Sequence, residues 1–245
     1  MLKLIERLGW DSNFFQIQIG KLTENRLTPE RHYEAMSLVG GGELDCLYAF
    51  LDPMDEITAE LVARSHGFLL ADTRVVYTMS KNTWLESPSP PIPRYIELTD
   101  PKRKDIEELR QAAADLHTVS RFHFDAHFRN RAQTLYNIWL NQYLNGETGK
   151  LIVIRDAERI VAFVGCTVED GIGELVLVSV HPEARGRGFG KKVVIAACDH
   201  LTKHGNGVEE LKVKTQLRNV PANRCYEGAG FRVRSVEHAY HIWRE

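Results

Sequence analysis

The sequence predicts an α+β protein with a mixed, mostly antiparallel central sheet flanked by helices, preceded by a smaller half-domain of related plan. Three observations carry this. Residues 94–245 read β-α-α-β-β-β-α-β-α-β-β, and the three consecutive strands are joined by the short turns DAE and EDGIG. That is a meander with too few βαβ units for a doubly wound dinucleotide fold. Next, KNTWLESPSPPIPR carries Pro88, Pro90, Pro91 and Pro93. These cannot donate to a ladder and bias each preceding residue away from helix, so 87–93 reads as a semi-rigid linker between domains 1–86 and 94–245. Finally, LDCLYAFLDPMDEITAELVARSHGFLLADTRVVYTM can be laid against LKVKTQLRNVPANRCYEGAGFRVRSVEHAYHIW. Both read strand, Pro-containing turn, helix, Gly-Phe, then two strands, with Gly67-Phe68 on Gly230-Phe231 and Tyr77 on Tyr240. The earlier copy has Ala63 in place of Tyr226 and no Gly-rich turn before it, so it reads as a degenerate relative that has lost the parts that do chemistry.

The elements of the second domain follow in order. YIEL is a short strand, and Asp100-Pro101 is an expected N-cap and first-turn proline for the helix KRKDIEELRQAAADL, whose apolar stripe runs through Ile106, Leu109 and Ala113. Residues 117–131 have no clean period. QTLYNIWLNQYL is a second helix that stops at Asn145-Gly146. KLIVIR, RIVAFVGCTV and GELVLVSVH are the meander strands, KKVVIAACDHLTKHG a long helix, ELKVKT a strand, VPANRCYEGA a short helix and FRVRSVEHAYHIW a closing pair of strands.

Composition sets the broad class. Lys+Arg 31 against Asp+Glu 33 leaves a net charge of −2, which argues against a general nucleic-acid binder while permitting local basic patches. Four cysteines share no CxxC spacing, so neither a zinc site nor a redox pair is indicated, and they read as reduced thiols of a cytoplasmic protein. No run approaches the roughly 18 apolar residues of a membrane span.

The residues with the sharpest chemical meaning are HPEARGRGFGKK, 181–192. An apolar strand, LVLVSV, runs into Arg185-Gly186-Arg187-Gly188-Phe189-Gly190 and directly into a helix. Glycines let backbone approach a ligand, and successive amides at a helix N-terminus favour negative charge. Arg185, Arg187, Lys191 and Lys192 add positive charge there, so the element is read as a phosphate or pyrophosphate cradle. The nucleotide patterns GxxxxGK[ST] and GxGxxG are not met.

With Arg185, Gly188 and Gly190 in the frame RxxGxG, and Asn219, Ala222, Tyr226 and Gly230-Phe231 in the frame NxxAxxxYxxxGF, residues 93–245 resemble the GNAT N-acetyltransferase superfamily. The resemblance implies that acetyl-CoA is the co-substrate. Its pyrophosphate would lie on amides from Gly186 through Arg187, Gly188, Phe189 and Gly190 to Lys191, with Arg185 beside them. Its pantetheine arm would pair with main chain near Val178 and Val180 like an added strand. Asn219 would hydrogen-bond the arm, and Tyr226 would donate a proton to the departing thiolate, a role suited to a phenol with an ordinary pKa of about 10. The general base stays unassigned among Glu174, Glu169, His181 and His123, with ordered water or backbone carbonyls as the alternative.

For the acceptor, HTVSRFHFDAHFRNR offers Arg121, Arg129 and Arg131 as clamps for an acidic group and Phe122, Phe124 and Phe128 as stacking faces. His123 and His127 lie one helical turn apart, but with no third ligand at a firm spacing no metal is assigned. The segments LGWDSNFFQIQIGKL, SRFHFD, YNIWLNQYL and NRCYEGAGFRVRSVEHAYHIWR further resemble the TDP-fucosamine acetyltransferases, which acetylate the 4-amino group of a dTDP-linked 4-amino-4,6-dideoxy sugar. This narrower resemblance implies a nucleotide-sugar acceptor faced by Ser120, Arg121 and Phe122. Peptide N-termini, lysine or another small amine, and a non-catalytic acyl-CoA-binding regulatory module, stay open as alternatives. The basic loop disfavours polycationic aminoglycosides. The N-terminal domain is expected either to shape the acceptor cleft or to form a homodimer surface.

Overall fold

The computed structural model describes residues 4–86 and 91–244; Ser87, Pro88, Ser89 and Pro90 of the expected linker lie outside them. The first elements are β1 (Ile5–Arg7), α1 (Gly9–Phe15), β2 (Ile19–Leu22), α2 (Pro29–Gly40), β3 (Cys46–Leu51), α3 (Glu56–Ala63), β4 (Phe68–Ser80) and α4 (Lys81–Glu86). Next come β5 (Ile96–Glu97), α5 (Arg103–Ala113), a 3-10 turn (Leu116–Val119), α6 (Arg121–Phe124), α7 (Arg129–Leu144), β6 (Lys150–Asp156), β7 (Arg159–Glu169) and β8 (Ile172–Val180). A second 3-10 turn (Pro182–Ala184) leads to α8 (Phe189–His204), β9 (Glu210–Gln216), α9 (Val220–Gly228) and β10 (Arg232–Trp243).

The chain divides into two compact units, the first from Met1–Arg74, Ser120–Arg131 and Val236–Glu245, the second from Val75–Val119 and Ala132–Ser235. A division at the proline run alone would place 120–131 and 236–245 in the second domain and 75–86 in the first. Packing decides otherwise, because the buried residues Phe122 and Phe128 have their ring partners Phe15 and Tyr48 in the first unit. Val75, Tyr77, Met79 and Trp84 belong instead to the core that holds Val193, Val194 and Phe231.

In the first unit β1 pairs antiparallel with β2, β2 parallel with β3, and β3 antiparallel with the end of β10, from Cys46↔Trp243 to Leu51↔His238. Its apolar core joins Leu44, Leu47, Ala49, Leu51 and Ile242 to Ala35 and Val39 of α2.

In the second unit β5, β6, β7 and β8 form an antiparallel run, and β9 joins β8 in parallel. The strands alternate faces as period two requires. Leu151 and Val153 of β6 pack with Leu109 of α5 and Leu140 of α7, whereas Ile152 and Ile154 pack with Val193 and Val194 of α8. This is the expected mixed sheet with helices on its faces.

Two local expectations are corrected. FRVRSVEHAYHIW is not a pair of strands: β10 is one strand of 12 residues, and its counterpart β4 is one of 13. Helix α5 begins at Arg103 with Lys102 as its N-cap rather than Asp100, because the Asp105 carboxylate accepts the Lys102 amide at 3.0 Å. The strand–helix–Gly-Phe–strand order occurs in both stretches, and Gly67 and Gly230 both have positive φ, +79° and +106°. All four cysteines are free, and no helix among the described residues is long and apolar enough to cross a membrane.

Candidate active site

The second unit carries a groove of about 690 Å³, a volume typical of small-molecule sites. Its walls are Val178, Ser179 and Val180 of β8, the turn that opens α8, the cap and first turns of α9, and Asp115–Val119 after α5.

The groove exists because two neighbouring strands part. Parallel pairing of β8 with β9 runs from Ile172↔Glu210 to Leu175↔Val213. Beyond Leu175, β8 stays on β7 through Val178↔Val164 and Val180↔Ala162, past a register shift between Val164 and Cys166. Such a bulge bends a strand and re-aims its edge. Residues 178–180 therefore meet the groove along an edge that β9 leaves, which is what an added extended ligand needs.

At the end of β8, Gly186 and Gly188 have φ of +75° and +79°, a left-handed region that side chains rarely adopt. They turn the chain so that Gly188 caps α8 directly. The first amide of the helix's own ladder is Lys192 N to Gly188 O, 3.1 Å, so the amides of Phe189, Gly190 and Lys191 precede that ladder and point out of the helix start. Arg185 lines the groove with its guanidinium forked on Asp115 by two contacts of 2.7 Å, and its Nε donates to Val180 O at 3.2 Å. The Arg185 hydrogen bond holds the Asp115 carboxyl below its ordinary pKa. Lys191 and Arg224 also line the groove. Arg187 does not: it pairs with Asp156 at 2.7 Å and lies over the Phe189 ring.

Gly190 differs from the two turn glycines. Its φ is not left-handed, and a Cβ there would meet only Cys225 Sγ at 3.5 Å and Val180 Cγ2 at 3.6 Å, ordinary contacts. The fold does not require glycine at this place; a ligand lying on the helix start would. Gly190→Ala is expected to leave the melting temperature within about 2 °C of wild type while raising the acetyl-CoA dissociation constant roughly tenfold or more. Thermal melts beside calorimetric titration check this, and an unchanged dissociation constant would refute it.

Helix α9 starts with Pro221 in its first turn and with the Asn219 side chain accepting the Ala222 amide at 3.3 Å. That cap occupies Oδ1, so Nδ2 is the atom Asn219 can offer a ligand in the groove it lines. About two turns on from Asn219, Tyr226 also lines the groove, although it is only 4 % exposed. Its ring packs against Tyr77 at 5.9 Å and Phe231 at 6.4 Å. Burial, followed by Cys225 and Tyr77, pushes the phenol well above its usual range. Tyr226 is thus a protonated acid throughout the neutral range. Burial pushes the neighbouring Cys225 thiol up to about 11.

Of the expected site residues, the groove gathers Val178, Val180, Arg185, Gly186, Gly188, Phe189, Gly190, Lys191, Asn219 and Tyr226. Ser120, Arg121 and Phe122 are placed in the first unit with partners there. Ser120 and Phe122 are buried, Ser120 caps α6 by accepting the His123 amide, and the Arg121 guanidinium lies 4.0 and 4.1 Å from the centroids of the Tyr48 and Phe122 rings. Arg129 donates to the carbonyls of His123 and Phe124, and Arg131 lies over Phe14. Among the candidate bases, Glu174 is paired with Lys212 and Lys214, and His181 with Arg159. Neither lines the groove, nor does Glu169. Sequence reasoning missed Asp115 and Arg224 as groove residues. Arg224 was reachable from its place in the turn before Tyr226, whereas nothing local to Asp115 announces its partner 70 residues away.

A model of the GNAT acetyltransferase family matches residues 108–231, which contain the cradle, Asn219 and Tyr226. The spore coat polysaccharide biosynthesis protein SpsD of Bacillus subtilis is 30 % identical over 155 residues, covering 62 % of this chain and 52 % of that protein. A mycothiol acetyltransferase of a Nocardioides species is 29 % identical over 196 residues, covering 72 % of this chain and 63 % of its own length. The chain thus spans between half and two thirds of these relatives. Among solved structures, a GCN5-related N-acetyltransferase from Sphaerobacter thermophilus shares the fold with a TM-score of 0.60 at 16 % identity, covering 98 % of this chain and 76 % of that one. A family match over half the sequence, centred on the groove and its two motifs, makes this chain a member of the GNAT acetyltransferase family.

Proposed function

We propose that the chain transfers acetyl from acetyl-CoA to the amine of a nucleotide-linked amino sugar, a dTDP-4-amino-4,6-dideoxyhexose, by direct attack with Tyr226 as general acid. The observation that carries the transfer is the meeting in one groove of an unpaired strand edge, a helix-start anion cradle and a buried phenol. Acetyl-CoA fits that sequence of surfaces: amides of Phe189 to Lys191 with Lys191 and Arg224 for phosphates, and the edge of Val178–Val180 for the amide-bearing arm. The amine nitrogen forms the new C–N bond as the C–S bond breaks. Tyr226 gives its proton to the sulfur, and the proton lost from nitrogen returns to the phenolate through water. The sugar acceptor is supported by the resemblance to TDP-fucosamine acetyltransferases and by SpsD, whose name places it in polysaccharide biosynthesis. The mycothiol acetyltransferase relative favours a second reading, in which the acceptor is another small amine of the kind that enzyme uses.

The test is release of free thiol from acetyl-CoA across a panel of amines. It includes dTDP-linked 4-amino sugars, the mycothiol acetyltransferase acceptor, and peptides with free N-termini or lysine. The dTDP-amino sugar is expected to exceed every other amine by about tenfold or more in kcat/KM. A peptide in first place would replace the acceptor, and acetyl-CoA binding without thiol release on any amine would make the chain a binding module.

A further inference from the structure

Within the second unit, one buried tyrosine outside the family motifs touches the helix that carries Tyr226. Tyr77 belongs to the second half of β4, the strand read in the sequence as the end of the degenerate copy. It is 2 % exposed, and its ring meets that of Tyr226 at 5.9 Å. Its hydroxyl donates to Asn223 Oδ1 at 2.9 Å, with Glu227 Oε1 as a more distant acceptor at 3.4 Å. Asn223 and Glu227 bracket Tyr226 on α9, three residues before it and one after.

Asn223 passes this contact on. Its Nδ2 donates to the carbonyls of Gln216, Leu217 and Asn219 at 3.0, 3.1 and 2.9 Å. One amide side chain therefore takes the Tyr77 proton on its oxygen and ties α9 to the end of β9 through its nitrogen. This fixes which end of the amide faces which partner. On the other side of Tyr226 its carbonyl accepts the Phe231 amide at 3.1 Å, and Met79, two residues along β4 from Tyr77, lies 3.3 Å from where a Gly230 Cβ would be. Helix α9 is pinned before and after Tyr226, and β4 supplies the first pin through Tyr77.

We infer that Tyr77 is a positioning residue for the transfer: its hydroxyl, through Asn223, sets the place of the Tyr226 phenol in the groove. This rests on the reading of Tyr226 as general acid. Removing the hydroxyl while keeping the ring leaves the core filled but frees the Asn223 amide to rotate and α9 to shift. A displacement well under 1 Å at a proton donor is enough to slow proton transfer.

The experiment compares wild type, Tyr77→Phe, Tyr226→Phe and the double variant by thiol release from acetyl-CoA. Hydroxylamine serves as a small nucleophile that does not require the acceptor to be known, with the uncatalysed rate subtracted. Tyr77→Phe is expected to lower kcat roughly tenfold, to leave the acetyl-CoA dissociation constant within twofold, and to have no further effect in the Tyr226→Phe background. Asn223→Ala, measured with the same controls, is expected to reproduce the loss in kcat and keeps the inference testable should Tyr77→Phe fold poorly. Wild-type kcat in both Tyr77→Phe and Asn223→Ala overturns the inference, as does a loss that appears only in acetyl-CoA binding or that multiplies fully with Tyr226→Phe. If Tyr226→Phe itself keeps full kcat, the general-acid reading fails, and the inference about Tyr77 fails with it for that separate reason.

Discussion

Tyr226→Phe is expected to lower kcat by about 10² or more, while the KM for acetyl-CoA and the melting temperature stay near wild type. In the proposed transfer the phenol is the proton donor, while the ring does the packing, against Tyr77 and Phe231 in a core that closes over it. Phenylalanine keeps that packing and removes only the hydroxyl. The loss must then fall on the step in which the thiolate leaves, because the cradle at Gly188–Lys191 and the edge of β8 are untouched. Burial also gives the pH dependence a sign. It raises the Tyr226 pKa above its ordinary value of 10, so the donor stays protonated as pH rises through the range in which an acceptor ammonium loses its proton. The wild-type kcat is therefore expected to climb with pH to a plateau, with no fall up to pH about 10. Thiol-release kinetics from pH 6 to 10 check both parts. A Tyr226→Phe variant with more than half the wild-type kcat refutes the assignment.

The turn that opens α8 and the start of the helix that carries Tyr226 were legible in the sequence because their causes are local. A strand that runs through Arg185 and two turn glycines into a helix declares its geometry within a dozen residues, and Asn219 with Pro221 declares the start of α9 in three. The strand edge that completes the groove was not legible in the same way. It depends on where β8 stops pairing with β9, a fact shared by residues 38 apart, Leu175 and Val213. The division into units was hidden for a related reason. β10 reads as two strands because its first four residues, Arg232 and Arg234 among them, are exposed and its end is largely buried, yet that change falls where one continuous strand passes from the second unit to the first. Residues 117–131 showed no period because they are not one amphipathic element. They hold a 3-10 turn, a four-residue helix and the start of α7, with Phe122 and Phe128 buried and Phe124 exposed. The basic and aromatic content suggested a surface for phosphates and bases. In the structure the Arg121 guanidinium packs against the Tyr48 and Phe122 rings and turns one edge to His241.

That edge contact leads to the largest expected effect on stability. Asp125→Ala is expected to cost about 3–5 kcal/mol, which lowers the melting temperature by roughly 6–20 °C. Asp125 and His241 are both fully buried. The Asp125 carboxylate accepts from His241 Nδ1 at 2.6 Å, Trp243 Nε1 at 3.0 Å, and both the backbone amide and Nδ1 of His127, at 2.9 and 2.8 Å. It is the acceptor that joins the 120–131 segment to the end of β10 within the first unit. The tautomer of His241 follows from its neighbours: Arg121 can only donate, so Nε2, 2.5 Å away, accepts, and Nδ1 carries the hydrogen toward Asp125. A second proton on Nε2 would confront the guanidinium. Burial, the largest cause, accordingly lowers His241 to about 4, against the upward pull of Asp125. Burial alone would raise Asp125, but hydrogen bonds from His241 and His127 bring it down to about 2. Both shifts act in the same direction. From pH about 6.5 to about 4 the unfolded chain takes a proton on His241 that the folded chain refuses, so stability falls with pH across that window, by up to about 3 kcal/mol. Below that, from about 4 to about 2, the contribution of Asp125 is lost in turn. His32 and His200, also lowered by burial, titrate in the same range, so the informative quantity is a difference. Urea unfolding at pH 7 and pH 4.5 is expected to show a smaller loss of stability in His241→Gln than in wild type. Equal losses would mean that His241 is not the group that binds the proton.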